Sequence, residues 1–282
     1  MEVIVAKNAG FCFGVKRAIE ETEKLLVDRK KTIYSIGSLI HNESVINKLK
    51  EKGLIELDDL NAIGNLKNET VIIRTHGIEK DVRDILTKNG NELIDLTCPF
   101  VSKIHEIVDK HSNDGYKVIV IGDKNHPEVK GIVSYGKEVY VCLSEVDIES
   151  LNIPTNSKVL VVFQTTINSA NAEKLVDILR KIYYNIKVAN TICNTTKVRQ
   201  EEVLSLAKVL DVMLIIGSPN SSNTMKLYEI AKKYCHKAYL ITDKASLNNI
   251  NINKNEKVGV SAGASTPQYL IEEILTNVRN EF

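Results

Sequence analysis

Three cysteines occupy the same kind of position in this chain, directly after a predicted strand and directly before a predicted helix. They are Cys12 in "VIVAKNAGFCFGVKRAIEE", Cys98 in "ELIDLTCPFVSKIHEIV" and Cys193 in "IKVANTICNTTKVRQEEVL". At a helix N-terminus the backbone N–H groups and the helix dipole favour a thiolate over a thiol. Three thiolates brought to one point would repel one another unless a cationic centre lay among them. We therefore predict that these three cysteines bind a metal ion or a cluster.

A centre with three protein ligands keeps one coordination position open, which is typical of catalytic rather than structural sites. Zinc bound by three thiolates and a water fits this description. A [4Fe–4S] cluster held by three cysteines, with its fourth iron open to a substrate, fits it as well. The softness of thiolate ligands favours the cluster, but the spacing does not separate the two. Cys142, in an apolar run, and Cys235, at a helix end, are predicted to be buried structural residues.

Polar residues at other strand ends indicate an anion site. When the three cysteine segments are aligned, two further strand ends follow each cysteine at similar intervals. The first set of strand ends carries His41, His126 and Ser221, and the second carries His76, Thr165 and Ser265. Ser222 and Asn223 lie just ahead of a helix in "GSPNSSNT", where a phosphate group would meet free backbone N–H groups. Ordinary helix capping by these side chains is the alternative interpretation.

The energies involved explain why histidines would be needed at such a site. A helix N-terminus stabilises an anion by about 0.3–1 kcal/mol, whereas micromolar binding requires about 8 kcal/mol. Charge-assisted hydrogen bonds of roughly 1.5–3 kcal/mol each would supply the difference. The chain has no Walker loop and no GxGxxG motif, so we do not expect the ligand to be bound as a nucleotide.

One carboxylate, Glu128 in "GDKNHPEV", accompanies this group. An acidic residue in the first turn of a helix is often only a favourable partner of the helix dipole. Beside His126 and an open metal site, we predict that Glu128 is a proton donor. Thr165, which follows an apolar strand in "FQTT", is predicted to position a substrate hydroxyl near it.

The elements that must position these residues alternate regularly between short β-branched runs and amphipathic stretches of helical character. This alternation predicts an α/β protein with mainly parallel sheets and helices on their faces. Because ligands bind beyond the carboxyl ends of parallel strands, we predict three α/β lobes, related by a pseudo-threefold axis, whose loops surround one cavity. The predicted lobes comprise residues 14–97, residues 98–192, and residues 193–282 together with 1–13.

Composition excludes several classes of function. The chain of 282 residues has 37 basic and 36 acidic side chains, for a net charge of +1, so we expect neither nucleic acid nor a membrane as a partner. No apolar run approaches the ~18 residues of a spanning helix. The first residues lack the basic region of a signal peptide, so we expect a cytoplasmic protein without disulfides.

The motifs taken together resemble a known family. "AGFCFGVKRAI", "IHN", "RTHG", "DLTCPFV", "GDKNHPEV", "QTT", "TICNTTKVRQ", "NSSNT" and "AGASTP" are similar, in order and spacing, to the signature of the 4-hydroxy-3-methylbut-2-enyl diphosphate reductases, the LytB/IspH family. The resemblance extends from residue 1 to about residue 279. Each motif alone has little weight, but the ordered set is highly specific.

The resemblance implies a trefoil of three lobes around one [4Fe–4S] cluster per chain, with Cys12, Cys98 and Cys193 as ligands and an open fourth iron. It implies an allylic diphosphate substrate, reduced by two electrons and two protons to isopentenyl and dimethylallyl diphosphates in the non-mevalonate isoprenoid pathway. Glu128 would donate protons with the help of Thr165 and His126, and ferredoxin or flavodoxin would supply the electrons. The diphosphate would be bound by His41, His76, His126, Ser221, Ser222, Asn223 and Ser265, and Thr165 would hydrogen-bond the substrate hydroxyl.

Two other interpretations remain open from the sequence. A [4Fe–4S] dehydratase of the quinolinate-synthase type would use three cysteines without net electron transfer, but a dicarboxylate substrate would favour an arginine-rich site. A zinc-containing sensor of phosphate ligands would use the same residues without catalysis.

Overall fold

The computed structural model describes residues 2–28 and 32–281 of the chain. Within these residues every strand belongs to one of three four-stranded sheets, and every pair of neighbouring strands is parallel. The predicted fold class, α/β with three lobes of parallel sheet, is confirmed. The physical basis is that the central strands are runs of Val, Ile and Leu, which are buried by helices on both faces of a parallel sheet.

The first sheet in chain order has the strand order β3-β2-β4-β5. Its strands are β2 (Ile33–Ile36), β3 (Leu54–Leu57), β4 (Thr70–Ile73) and β5 (Glu92–Asp95). The helices of this segment are α1 (Phe13–Asp28), α2 (Glu43–Glu51), α3 (Leu60–Asn65) and α4 (Lys80–Lys88). All four residues of β4 are buried, as expected for a central strand.

The second sheet has the order β7-β6-β8-β9. Its strands are β6 (Lys117–Ile121), β7 (Val139–Cys142), β8 (Lys158–Phe163) and β9 (Asn185–Val188). The helices are α5 (Pro99–Asn113), α6 (Pro127–Ser134), α7 (Glu145–Glu149) and α8 (Ser169–Ile182). Two apolar clusters lie on its two faces, one beneath α8 and one beneath α5 and α6.

The third sheet has the order β1-β12-β10-β11, so its first strand comes from the start of the chain. Its strands are β1 (Glu2–Val5), β10 (Val212–Ile216), β11 (Lys237–Ile241) and β12 (Lys257–Ala262). The helices are α9 (Asn194–Ala207), α10 (Ser222–Tyr234), a 3₁₀ helix (Lys244–Asn249) and α11 (Gln268–Glu281).

Contacts between Cα positions divide the chain into two compact units. The first unit comprises residues 1–16, 40–48 and 194–282, and the second comprises residues 17–39 and 49–193. The third sheet belongs to the first unit, and the other two sheets belong to the second. Each sheet takes its strands from within one predicted lobe, but the lobe boundaries themselves stay a prediction. Among the described residues, no helix has both the length and the apolar character that crossing a membrane would require.

Candidate active site

The three cysteine turns are held by equivalent backbone hydrogen bonds. The N–H group of Cys98 donates to the Thr75 carbonyl at 2.9 Å, that of Cys193 donates to the Thr165 carbonyl at 3.0 Å, and that of Cys12 donates to the Ala264 carbonyl at 3.0 Å. In each case the acceptor lies in the loop that follows a central strand of the same unit. The internal similarity seen in the sequence is therefore a similarity of backbone hydrogen bonding.

These hydrogen bonds also correct the register of the internal alignment. Thr75 and Ala264 directly precede His76 and Ser265, so the residue in the equivalent position after Thr165 is Thr166. The sequence alignment placed Thr165 opposite His76 and Ser265, which is one residue too early. Thr165 is instead the residue whose carbonyl receives the cysteine N–H group.

The three cysteines have the accessibility that ligands of a metal centre need. All three are half-buried, and no disulfide joins them in the part of the chain that the structure describes. Cys98 is the N-cap of α5, where Pro99 occupies the first helical position and leaves fewer N–H groups without partners. Phe13, which follows Cys12, is 71% exposed.

Cys142 and Cys235 differ from them, as predicted. Cys142 is 1% exposed, and burial raises the pKa of its thiol to about 12, so it stays protonated. The Cys235 thiol lies against the carbonyl oxygens of Leu210, Asp211 and Lys237 at 3.3–3.5 Å. Both residues pack in apolar clusters and serve as core residues.

Glu128 forms a compact pair with Thr165. The Thr165 N–H group donates to Glu128 Oε1 at 2.6 Å, and the Thr165 hydroxyl donates to Glu128 Oε2 at 2.7 Å. Glu128 is 2% exposed and Thr165 is 7% exposed. Because α6 begins at Pro127 and β8 ends at Phe163, the pair connects the start of α6 to the loop that follows β8.

Burial raises the pKa of Glu128 to about 7, and the two hydrogen bonds from Thr165 oppose this shift without cancelling it. With a pKa raised this far, both the protonated and the ionised form of the carboxyl group are populated near neutral pH. It can therefore both deliver and recover a proton, as a general acid must. When Glu128 is protonated it can donate to the Thr165 hydroxyl, which is then able to donate in turn.

His126 is the N-cap residue of α6, and its side chain has a defined orientation. Its Nδ1 atom accepts a hydrogen bond from the Glu128 N–H group at 3.1 Å. With Nδ1 as acceptor, the proton of the neutral imidazole is carried on Nε2, which makes Nε2 a donor. The rings of His126 and His76 meet edge to face with centroids 5.4 Å apart. The second unit thus brings two predicted anion-binding histidines together beside Glu128.

In the first unit, the N-terminus of α10 carries three of the predicted residues. Ser221 is the N-cap, and its hydroxyl accepts a hydrogen bond from the Thr224 N–H group at 3.3 Å. Asn223 is 4% exposed, yet neither atom of its amide has a hydrogen-bond partner among the described residues. A buried amide without partners costs the protein free energy, which is accounted for if a ligand completes its hydrogen bonds.

Two glycines allow the loops to approach this helix end. A Cβ atom at Gly263 would lie 2.0 Å from Thr224 Oγ1, and one at Gly217 would lie 2.7 Å from the same atom. Gly217 also has a φ of 148°, which disfavours other residues. The close approach is therefore possible only because both residues lack side chains.

The same unit contains His41 and Ser265. The Ser265 hydroxyl donates to the His41 carbonyl at 3.1 Å, which connects the two predicted residues through the backbone of one of them. The residue that caps α2 is Asn42, whose Oδ1 atom accepts from the Val45 N–H group at 3.2 Å. His41 precedes this cap by one residue, so Asn42 rather than His41 caps the start of α2.

His105 was not predicted to have a role, but the structure places it against Gly77, next to His76. It is 7% exposed, and its ring stacks on Tyr135 with centroids 4.2 Å apart. A Cβ atom at Gly77, the residue after His76, would lie 2.8 Å from His105 Cε1. Burial lowers the pKa of His105 to about 4, so it packs as a neutral ring. Its helical position gave no signal of this packing.

Comparisons with known proteins identify the family of this chain. Residues 3–279 match the family described as "LytB protein". The chain belongs to this family. A curated relative in the LytB family from Campylobacter fetus subsp. fetus is 44% identical over 99% of this chain and 98% of its own length. Another, from Caldanaerobacter subterraneus subsp. tengcongensis, is 40% identical over 99% of this chain and 97% of its own length. Both are named 4-hydroxy-3-methylbut-2-enyl diphosphate reductase.

Solved structures of reductases extend the likeness to three dimensions. The E-1-hydroxy-2-methyl-but-2-enyl-4-diphosphate reductase of Plasmodium falciparum superposes with a TM-score of 0.89, at 31% identity, over 98% of this chain and 87% of that chain. A second structure, that of an (E)-4-hydroxy-3-methyl-but-2-enyl diphosphate reductase described as the terminal enzyme of the non-mevalonate pathway, superposes with a TM-score of 0.70 at 38% identity, over 99% of this chain and 100% of that chain. The LytB family is one of iron–sulfur enzymes. The resemblance inferred from the motifs is confirmed.

Proposed function

We propose that this chain is a 4-hydroxy-3-methylbut-2-enyl diphosphate reductase. The reaction takes up two electrons and two protons, breaks the allylic C–O bond, and releases water with isopentenyl or dimethylallyl diphosphate. The full-length relatives carry this name. The observation that supports the proposal within this chain is the buried Glu128–Thr165 pair, because a carboxyl group with a pKa of about 7 is suited to protonating a leaving hydroxyl.

The ligand set proposed for the cofactor is Cys12, Cys98 and Cys193. Their chemistry fits an iron–sulfur cluster, since all three are half-buried thiols outside any disulfide and each has its backbone N–H group anchored. We assign one [4Fe–4S] cluster per chain with an open fourth iron. When bound, the cluster supplies a Lewis-acidic iron for the substrate oxygen and a path for electrons.

The diphosphate group is assigned to polar residues at helix starts and strand ends. His126 offers Nε2–H as a donor because its Nδ1 atom is occupied, and the Asn223 amide offers two buried groups without partners. Ser221 marks the start of α10, where backbone N–H groups favour an anion. The complete proposed set for the diphosphate is His41, His76, His126, Ser221, Ser222, Asn223 and Ser265.

The proton path runs from Glu128 to Thr165 and then to the substrate hydroxyl. The Thr165 hydroxyl donates to Glu128 when the carboxyl group is ionised, and it can accept from Glu128 and donate onward when the group is protonated. His126, through its hydrogen bond to the Glu128 backbone, holds the start of α6 in the orientation that this path needs. The electrons are proposed to come from ferredoxin or flavodoxin.

The test is anaerobic purification followed by iron and sulfide analysis and assay with reduced viologen and the hydroxylated diphosphate. We expect four irons per chain at full loading, and both C5 products. Cys193→Ala should lose iron, whereas Cys235→Ala, which removes a core thiol, should retain it. A chain that binds zinc instead, without colour, would contradict the proposal. Turnover that needs no reductant would indicate a dehydratase.

A further inference from the structure

Two arginines lie on helices that follow cluster-ligand cysteines, and each donates to a carbonyl just before a ligand cysteine. Arg17, on α1, donates from one terminal nitrogen to the Thr97 carbonyl at 2.8 Å. Arg199, on α9, donates in the same way to the Gly10 carbonyl at 2.6 Å. Thr97 immediately precedes Cys98, and Gly10 lies two residues before Cys12. Each hydrogen bond is formed within one compact unit.

The turn before Cys98 is held from several sides. The Thr97 carbonyl accepts from Arg17, and the Thr97 N–H group donates to Asp95 Oδ1 at 3.0 Å. The next N–H group, that of Cys98, donates to Thr75. The Thr97 carbonyl, the Thr97 N–H group and the Cys98 N–H group therefore all have partners, and only the one supplied by Arg17 comes from a cationic side chain.

The turn before Cys12 is held by α9. Arg199 is 4% exposed and reaches the Gly10 carbonyl, while Glu202 on the same helix accepts from the N–H groups of Lys7 at 2.6 Å and Asn8 at 3.1 Å. Gly10 has a φ of 98°. One helix thus fixes the backbone over the residues that lead to Cys12.

The third turn is anchored to its sheet by a neutral side chain. There the Thr191 hydroxyl donates to the Phe163 carbonyl and accepts from the Phe163 N–H group, each at 2.7 Å. A neutral hydroxyl is therefore sufficient to anchor such a turn to its sheet. A guanidinium used for the same purpose is a buried positive charge, and burying a charge costs free energy.

The environment of Arg17 shows that its charge is not balanced by a carboxylate. Arg17 is half-buried, forms no ion pair with any residue in the described ranges 2–28 and 32–281, and its Nε atom is buried without a hydrogen-bond partner. A cation in this position is stabilised when an anion lies nearby. Cysteine thiolates carrying a cluster would provide that negative charge.

We infer that Arg17 and Arg199 are positioning residues that hold the Cys98 and Cys12 turns, respectively, in the geometry that retains the cluster. This inference rests on the proposed function, because it needs those cysteines to be ligands. It assigns a role to two arginines that hydrogen-bond to the backbone beside ligand cysteines, and it predicts that the loss of each arginine affects one turn only. Loss of Arg17 loosens the turn at Cys98 alone, and loss of Arg199 loosens the turn at Cys12 alone.

The test uses Arg17→Met and Arg199→Met, the milder Arg17→Lys and Arg199→Lys, and Arg180→Met as a control on the exposed side of α8. Hydrogen exchange of the cluster-free protein should accelerate at residues 95–98 in the Arg17 variant and at residues 7–12 in the Arg199 variant. After anaerobic reconstitution, both Met variants should lose iron to a chelator about tenfold faster than the wild type, within the range known for residues that orient metal ligands. The Lys variants, which keep the charge and a donor, should lose iron at intermediate rates.

Unchanged iron loss in both Met variants, with a wild type that loads normally, would overturn the inference and leave the proposed function standing. Faster exchange spread evenly over the whole chain would also overturn it, because it would indicate a general loss of stability. A wild type that takes up no iron would instead refute the proposed function, and the inference with it.

Discussion

Replacing Glu128 by Gln tests the central step of the proposed reaction. The substitution preserves the size of the side chain and leaves an oxygen to accept from the Thr165 N–H group, now at 2.6 Å. It replaces the second oxygen by an NH₂ group, so the Thr165 hydroxyl can no longer donate to this residue as it does at 2.7 Å. The variant resembles the protonated carboxyl group but has no proton to transfer.

The expected size of the effect follows from the role and the pKa. Loss of a general acid typically lowers the rate 10²- to 10⁴-fold. In the wild type, turnover should fall as pH rises through about 7, because the protonated form of Glu128 is the donor. In Glu128→Gln this inflection should disappear, while the affinity for the diphosphate substrate stays within a few-fold of the wild type.

Glu128→Gln should lower turnover but raise the free energy of unfolding above neutral pH. The folded-state pKa of Glu128 lies above the ordinary value of 4.5, so the folded state binds the proton more tightly than the unfolded state does. The free energy of unfolding of the wild type therefore falls as pH rises from 4.5 to 7, by about 3 kcal/mol at 1.36 kcal/mol per pKa unit. Glu128→Gln should lack this loss and be more stable than the wild type at pH 8.

The assay combines steady-state kinetics between pH 6 and 9, calorimetric titration with substrate, and urea unfolding at pH 5 and 8. Glu149→Gln, on the exposed end of α7, is the control and should behave as the wild type. Full turnover in Glu128→Gln, or an inflection near pH 7 that survives the substitution, would refute the assignment of Glu128 as the proton donor.

Asn223→Ala should raise the dissociation constant of the diphosphate about tenfold without lowering stability, because its buried amide has no partner in the described protein. Titration calorimetry measures this constant, with Asn277→Ala as the control variant. An unchanged affinity in Asn223→Ala would remove Asn223 from the site. Gly263→Ala should lower the free energy of unfolding by about 1–3 kcal/mol, because the new Cβ would lie 2.0 Å from Thr224 Oγ1. Gly64→Ala, where no atom lies within 4 Å of the new Cβ, should leave stability unchanged or raised; equal denaturation midpoints for the two variants would contradict the steric argument.

Much of the fold could be predicted from the sequence because it depends on local patterns. The apolar run Val212–Ile216 is the strand β10, and the amphipathic stretch 170–183 corresponds to the helix α8 within one residue at each end. Short β-branched runs and amphipathic stretches report secondary structure directly, since each is decided by neighbouring residues. The position of each cysteine between a strand and a helix followed from the same patterns.

Part of the candidate site was also accessible from the sequence, because polar residues at the ends of parallel strands collect at one edge of a sheet. The proximity of His76 and His126 agrees with that expectation. The capping roles of His126 and Ser221 agree with the alternative interpretation of these side chains, helix capping. What failed was the register of the second set of strand ends, in which Thr165 was aligned with His76 and Ser265. A difference of one residue between loops is invisible to an alignment of short motifs, whereas the hydrogen bond from Cys193 to Thr165 decides it.

The sequence by itself determined which residue types stand at the turns and which elements carry them. Only the tertiary structure decided the pairs: Glu128 with Thr165, 37 residues apart, and Arg199 with Gly10, 189 residues apart. The physical reason is that the pKa of Glu128 depends on burial, and the reach of Arg199 depends on how α9 packs beside the start of the chain. Neither burial nor packing is encoded in a local window, because both are created by residues that meet only when the chain folds.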